Sequence, residues 1–220
     1  MNQFVNLIIL VTRPEHDAGT RYLSCWMKEI ISEANKKGIQ VIDLHKEKAS
    51  RKNFESRMDK LSPDLILLNG HGSAYEMTGH NNEVLICHED NHFLLKKKIT
   101  YAIACDCAKI LGKGVADKET VFIGYKDKFV INLNRSFLSK PAEDKRAKRF
   151  LDPSNEVGMA LLKGHTASEA SSKSKEAFRK QIISLLSSTS SDPDITEDIK
   201  ILFWNMTNQV CLGNGELKLC

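Results

Sequence analysis

Two short runs hold the residue types that acyl-transfer chemistry needs. One is Asn69-Gly70-His71-Gly72-Ser73 and the other is Ala104-Cys105-Asp106-Cys107-Ala108. Each follows an apolar segment, residues 64–69 (DLILLN) and 99–104 (ITYAIA). A thiol attacks a carbonyl efficiently when a base lies within hydrogen-bond reach, near ~3 Å in a competent complex. His71 and Cys105 are 34 positions apart (71 to 105), so only the fold can unite them. If the two apolar runs are neighbouring parallel strands, both ends emerge on one rim. Gly70 and Gly72 let the backbone approach a substrate closely and leave the Gly72 amide open. Together with the Cys105 amide it makes a candidate oxyanion hole. A helix starting at Cys105 would favour the thiolate through its positive end.

Competing assignments are weaker. Cys107 is the nearest rival nucleophile, but Cys105 directly ends the apolar block, where a strand-to-helix turn exposes it. Ser73 lacks a G-x-S-x-G elbow. The glycine-rich run has neither the Lys-Ser/Thr of a P-loop nor the G-x-G-x-x-G of a dinucleotide fold. Cys87-His88, His71, Cys105 and Cys107 are soft metal ligands by type. No C-x₂-C pair exists, however, and C-x-C is a poor zinc spacing. Neither a metal nor a cofactor is therefore expected. His80, His88 and His92 fall in loop-like sequence and read as solvated. Trp26 and Trp204 fall on apolar helical faces and read as core. His16 and Asp17 follow the first apolar run; Asp17 either contacts substrate or caps the next helix, with Thr20 in its first turn.

The elements that must position these residues alternate in type. Residues 5–12 (VNLIILVT) read as a strand buried on both faces. Residues 17–37 carry apolar side chains at helical spacing and end in Lys37-Gly38. A strand at 40–44, a helix at 50–61 and the strand at 64–69 follow. Residues 84–87 and 92–95 pair as a hairpin in this reading, and 120–125 is the strand after 99–104. Such alternation predicts an α/β fold: a three-layer αβα sandwich on a mostly parallel sheet, with extra C-terminal helices. Ligands in such sheets bind at the carboxyl ends of the strands, where His71 and Cys105 lie. Residues 135–149 (RSFLSKPAEDKRAKR) read as an exposed basic loop: a solvated surface, an activation loop, a groove wall or a docking site for an acidic partner. Helices are expected at 156–163, 166–186 and 195–209, the middle one opened by a Thr166/Glu169 capping box. Residues 187–194 (SSTSSDPD) read as a flexible connector and 216–219 as a terminal strand.

The chain has 220 residues, 41% hydrophobic and 27% charged, which fits one soluble globular domain. That domain divides into an α/β core (1–131), a basic loop (132–154) and a C-terminal helical part (155–220). A net charge of +4 is too mild to mark a nucleic-acid binder. No apolar run approaches the roughly 20 residues of a membrane span, so neither nucleic acid nor membrane is an expected partner. Residues 1–4 lack the basic region of a signal peptide, and the six cysteines read as reduced thiols. Both point to the cytoplasm.

The two motifs, an apolar strand running into His71-Gly72-Ser73 and another into Ala104-Cys105-Asp106-x-Ala108, resemble the catalytic pattern of caspase-like (clan CD) cysteine peptidases. That clan includes caspases, gingipains, legumain, clostripain, separase and bacterial CHAT domains. The sequence is most similar to the prokaryotic gingipain- and CHAT-like members, over residues 4–125. The resemblance implies a cysteine endopeptidase with His71 as base, Cys105 as nucleophile and the backbone of Gly72 and Cys105 as oxyanion donors. Asp17, Ser73 and Asp106 are then candidate substrate contacts, and Asp106 would meet a basic P1 side chain unless it serves only as a charge opening a helix. The implied partner is a protein or peptide substrate, with control by a regulatory protein or a homodimer. A catalytically inactive interaction module of the same fold is the alternative.

Overall fold

The computed structural model describes residues 7–187 and 194–219. The start of the strand expected at 5–12 and most of the 187–194 connector fall outside the described residues. Among the described residues eight strands form: β1 (Ile8–Arg13), β2 (Gln40–His45), β3 (Leu65–Asn69), β4 (Glu76–Thr78), β5 (Val84–Cys87), β6 (Ile99–Ile103), β7 (Val121–Tyr125) and β8 (Gln209–Gly213). The helices are α1 (Ala18–Lys36), α2 (Arg51–Leu61), α3 (Leu111–Val115), α4 (Lys145–Leu162), α5 (Ala167–Leu186) and α6 (Asp194–Asn208).

The main sheet has the order β2-β1-β3-β6-β7-β8. Its first five strands are parallel, and β8 runs antiparallel to β7. Alternate residues of each strand feed opposite faces. Ile9, Val11, Leu65, Leu67, Tyr101 and Ile103 pack with α1, α4 and α5 on one side. Leu10, Ile66, Leu68, Ala102 and Phe122 pack with α2, α3 and the β4–β5 hairpin on the other. Central strands buried on both faces explain the unbroken apolar runs in the sequence. A third cluster, including Phe150, Phe178, Ile201 and Leu202, joins α4, α5 and α6. The α/β class, the mostly parallel sheet and the additional C-terminal helices are thus as expected. Among the described residues, no helix is long and apolar enough to cross a membrane.

Four local expectations are corrected. The hairpin forms between β4 and β5, whereas residues 92–95 make a 3₁₀ turn. The last strand is β8, at 209–213 rather than 216–219. Residues 135–149 are not one loop: two 3₁₀ turns lead into α4, which begins at Lys145 and continues through Pro153. A proline removes one helical donor, but Ala147, Phe150, Leu151, Val157 and Leu161 form a continuous buried stripe that outweighs it. The helix after Cys105 is short and starts only at Leu111.

The caps behave as their residue types dictate. Asp17 and Thr20 form a reciprocal capping box on α1, and Thr166 and Glu169 form another on α5. Trp26 is buried and donates its indole N–H to Asp152. Trp204, expected in the core, is 42% exposed and donates to the Lys128 carbonyl instead.

Candidate active site

Strands β3 and β6 are adjacent and parallel, with Leu68 opposite Ala102 and Asn69 opposite Ile103. The chain therefore leaves both strands on the same rim. Thr12 and Asn69 lock the ends of β1 and β3 there. The Asn69 amide donates to Thr12 Oγ1 (3.0 Å), Thr12 Oγ1 donates to the Asn69 carbonyl (3.2 Å), and Asn69 Nδ2 donates to the Thr12 carbonyl (2.8 Å). Strand order reverses between β1 and β3, since β1 leads outward to β2 and inward to β3. That crevice is the usual ligand site of an open α/β sheet.

Glycine is required twice in the turn after β3. Gly70 has φ of +157°, and a Cβ there would lie 2.1 Å from the Thr78 carbonyl oxygen. A Cβ on Gly72 would lie 2.8 Å from the Cys105 carbonyl oxygen and 2.9 Å from Ala104 Cβ. The His71-Gly72 backbone thus rests directly on the Ala104-Cys105 backbone. Both His71 and Cys105 line a small cleft of about 80 Å³, walled by Leu23, Ile103, Phe129 and Ile131. Among the described residues, no hydrogen bond engages the amide of Gly72 or of Cys105.

His71 is half exposed, and its Nε2 lies 2.5 Å from Asp17 Oδ2. The two Asp17 oxygens divide their work: Oδ1 accepts from the Thr20 amide (2.8 Å) and hydroxyl (3.0 Å), capping α1, while Oδ2 faces His71. Burial opposes ionisation of Asp17. The hydrogen bonds from His71 and Thr20 outweigh it and hold the carboxyl down at about 2. An ionised carboxylate only accepts, so Nε2 is the donor to Asp17, and in the neutral form of the ring Nδ1 carries the lone pair. The first strand end adds His16, whose Nε2 is 3.1 Å from Asn82 Oδ1 and 3.5 Å from Asp17 Oδ2. Its ring meets those of His71 and His80 edge-on, at 5.7 and 5.5 Å.

The thiols differ sharply. Cys105 is half-buried, and its Sγ donates to the Phe129 carbonyl at 3.8 Å. Burial pushes this thiol above its ordinary value, with the Phe129 contact and Lys128 opposing and Asp106 and Asp127 adding to the rise. The expected helix-terminal lowering is absent because no helix begins there. Residue Asp106 instead turns with φ of +59° and pairs with Lys109 at 2.5 Å, so it opens no helix. Cys107 is fully buried, pushed up to about 12 by that burial, and donates to the Ala104 carbonyl. Cys105 is thus the thiol on the cleft. Ser73 is engaged in its own turn, its hydroxyl accepting from the Tyr75 amide and its amide donating to Glu76.

Sequence reasoning placed His71, Gly72 and Cys105 on one rim, and they are together. It left Asp17 between capping and substrate contact, whereas the carboxylate caps α1 and also binds His71. His80, His88 and His92, read as solvated, are all partly buried; His80 packs beside His16, and the rings of His88 and His92 lie 4.8 Å apart. The signal for Asp17 and His16 was available in their position after β1, but nothing in the sequence fixed which way they face. Compared with protein-family models and with curated proteins, the chain matches none.

Proposed function

We propose that this chain is a caspase-like cysteine endopeptidase in which Cys105 is the nucleophile and His71 the base. The observation that carries the reading is the delivery of His71-Gly72 and Cys105 by two adjacent parallel strands onto one cleft, in backbone contact. In the proposed reaction His71 Nδ1 accepts the thiol proton as Cys105 Sγ attacks the scissile carbonyl. The free amides of Gly72 and Cys105 hold the oxyanion. The tetrahedral intermediate collapses, His71 returns the proton to the leaving amine, and an acyl-enzyme remains on Sγ. Water, deprotonated by His71, then attacks the acyl carbonyl and restores the thiol. Asp17 holds the imidazole in the tautomer this sequence needs. Because burial raises the Cys105 thiol, proton transfer accompanies attack rather than preceding it.

A second reading, a catalytically inactive interaction module of the same fold, is favoured by the protonated thiol facing the Phe129 carbonyl and by the small cleft. Labelling decides between them. Electrophilic peptide probes with Asp, Asn, Arg, Lys or Leu at P1 are applied and read by intact mass and peptide mapping. The enzyme reading predicts selective modification of Cys105 that is lost in His71→Ala. Absence of selective labelling overturns it in favour of the module.

A further inference from the structure

His71, the proposed base, also belongs to a second group of side chains, with His16 and Asp17. One ring nitrogen from each histidine and one carboxylate oxygen of Asp17 lie within 4.8 Å of one another. Two imidazoles and a carboxylate form a set that holds catalytic-type zinc, with a coordination position left open. Ligand atoms about 2.0–2.2 Å from a tetrahedral zinc sit roughly 3.3–3.5 Å apart. His16 Nε2 and Asp17 Oδ2 already stand 3.5 Å apart. The His71–Asp17 pair is closer, at 2.5 Å, and opens by a swing of roughly 1 Å of the half-exposed His71 ring to reach that zinc-ligand spacing.

Two of the three ligands are fixed in advance. Asp17 is anchored through Oδ1 on the first turn of α1, which leaves Oδ2, now bonded to His71, able to turn to a cation. His16 is mostly buried with its ring against that of His80, and its Nε2 exchanges the hydrogen bond to Asn82 for the ion. A site with two rigid ligands and one mobile one costs little ordering free energy to close.

We propose that His16, Asp17 and His71 bind a divalent transition-metal ion, zinc in the first instance, and that the ion switches off the base. The second half of this proposal rests on the peptidase reading. Without the ion, Nε2 of His71 carries the proton and Nδ1 accepts. An ion taken up by Nε2 displaces that proton, and a neutral imidazole then carries it on Nδ1, where it cannot accept from Cys105. The ion also takes Oδ2 of Asp17 from His71. The active form is the metal-free one.

The test uses the full chain, stripped with a chelator, and Zn²⁺ alone as probe. Competition against a chromophoric chelator is expected to give one ion per chain. Affinity should fall at least about tenfold in His16→Ala and in the volume-conserving His16→Gln, as when a ligand is lost, and stay unchanged in Cys105→Ala. Circular dichroism of both His16 variants checks that they fold. Independently, Zn²⁺ is expected to slow probe labelling of Cys105 in the parent chain but not in either His16 variant, both of which label normally without metal. Lack of stoichiometric binding, or binding unaffected by folded His16→Gln, overturns the site. Binding as predicted with Cys105 labelling that zinc leaves unchanged overturns the switch while the site stands. If no probe labels Cys105 even without metal, it is the peptidase reading that has failed, and the binding measurement still decides the site.

Discussion

Asp17 serves two masters through two oxygens, and a substitution can separate them. Serine is as good an N-cap as aspartate but is too short and uncharged to hold an imidazole from that position. Asp17→Ser should therefore change stability by under about 1 kcal/mol, the usual scale of an exchange between good caps. Cys105 labelling should fall at least about tenfold, as when the partner orienting a working histidine is removed. Asp17→Ala should lose labelling and also about 1 kcal/mol of stability. Thermal unfolding and probe labelling of the two variants check this; equal labelling in Asp17→Ser and the parent would remove Asp17 from the positioning role. The meeting of His71 and Cys105 on one rim was legible because each stands just past the end of an apolar strand. Asp17 was legible as a cap or a substrate contact but not as a partner of His71, because a cap is a local pattern, whereas the bond to His71 depends on β1 lying next to β3.

At the scale of elements, α4 was the least legible feature, and Asp144 explains why it begins where it does. Its Oδ1 caps α4 through the amides of Arg146 and Ala147, while Oδ2 accepts from the Tyr22 hydroxyl (2.8 Å) and the Asn134 amide (2.8 Å). The carboxylate is 1% exposed. One residue thus starts a helix, ties it to α1 and pins the preceding segment, none of which shows in a basic run containing a proline. Asp144→Ala should cost about 2–4 kcal/mol, the sum of a lost cap and buried donors left unpaired. Tyr22 contributes from the other side. Burial, then the Asp144 hydrogen bond and charge, raises its hydroxyl above the ordinary value of 10.0. The folded state therefore holds this proton more tightly than the unfolded chain, so its stabilisation is complete below pH 10 and fades as pH rises beyond it. Buried Tyr101 and Tyr125 are raised by burial as well and add to the same trend. Tyr22→Phe should make alkaline unfolding less steep, read by circular dichroism against pH; an unchanged slope would show that Tyr22 does not titrate with unfolding.

Across the whole molecule, the C-terminal helices reach the cleft through the segment between β7 and α4. Asn205 of α6 pairs with Val130 as a strand would, accepting from its amide (3.1 Å) and donating to its carbonyl (2.7 Å). Asn132 Nδ2 donates to Asp198, a fully buried carboxylate that also binds Arg146 and Arg149. Trp204 donates to the Lys128 carbonyl. The residues between these anchor points, Phe129 and Ile131, wall the cleft, and the Phe129 carbonyl accepts the Cys105 thiol. The α6 helix therefore sets where the cleft wall stands and how tightly the thiol is covered, acting through Lys128 and Val130. Asn205→Ala leaves both polar groups of Val130 without their partner, at about 1–3 kcal/mol. That loss concentrates on the wall rather than on the sheet, which keeps its own ladder. The expected result is a lower melting temperature together with faster alkylation of Cys105 by a small reagent such as iodoacetamide at a temperature where the chain is still folded. Slower or unchanged alkylation in the folded variant would show that the wall does not depend on α6. The coupling also accounts for the extra helices physically: an α/β sheet alone would leave 128–132 as an unsupported loop over the thiol, and α6 turns it into a braced wall.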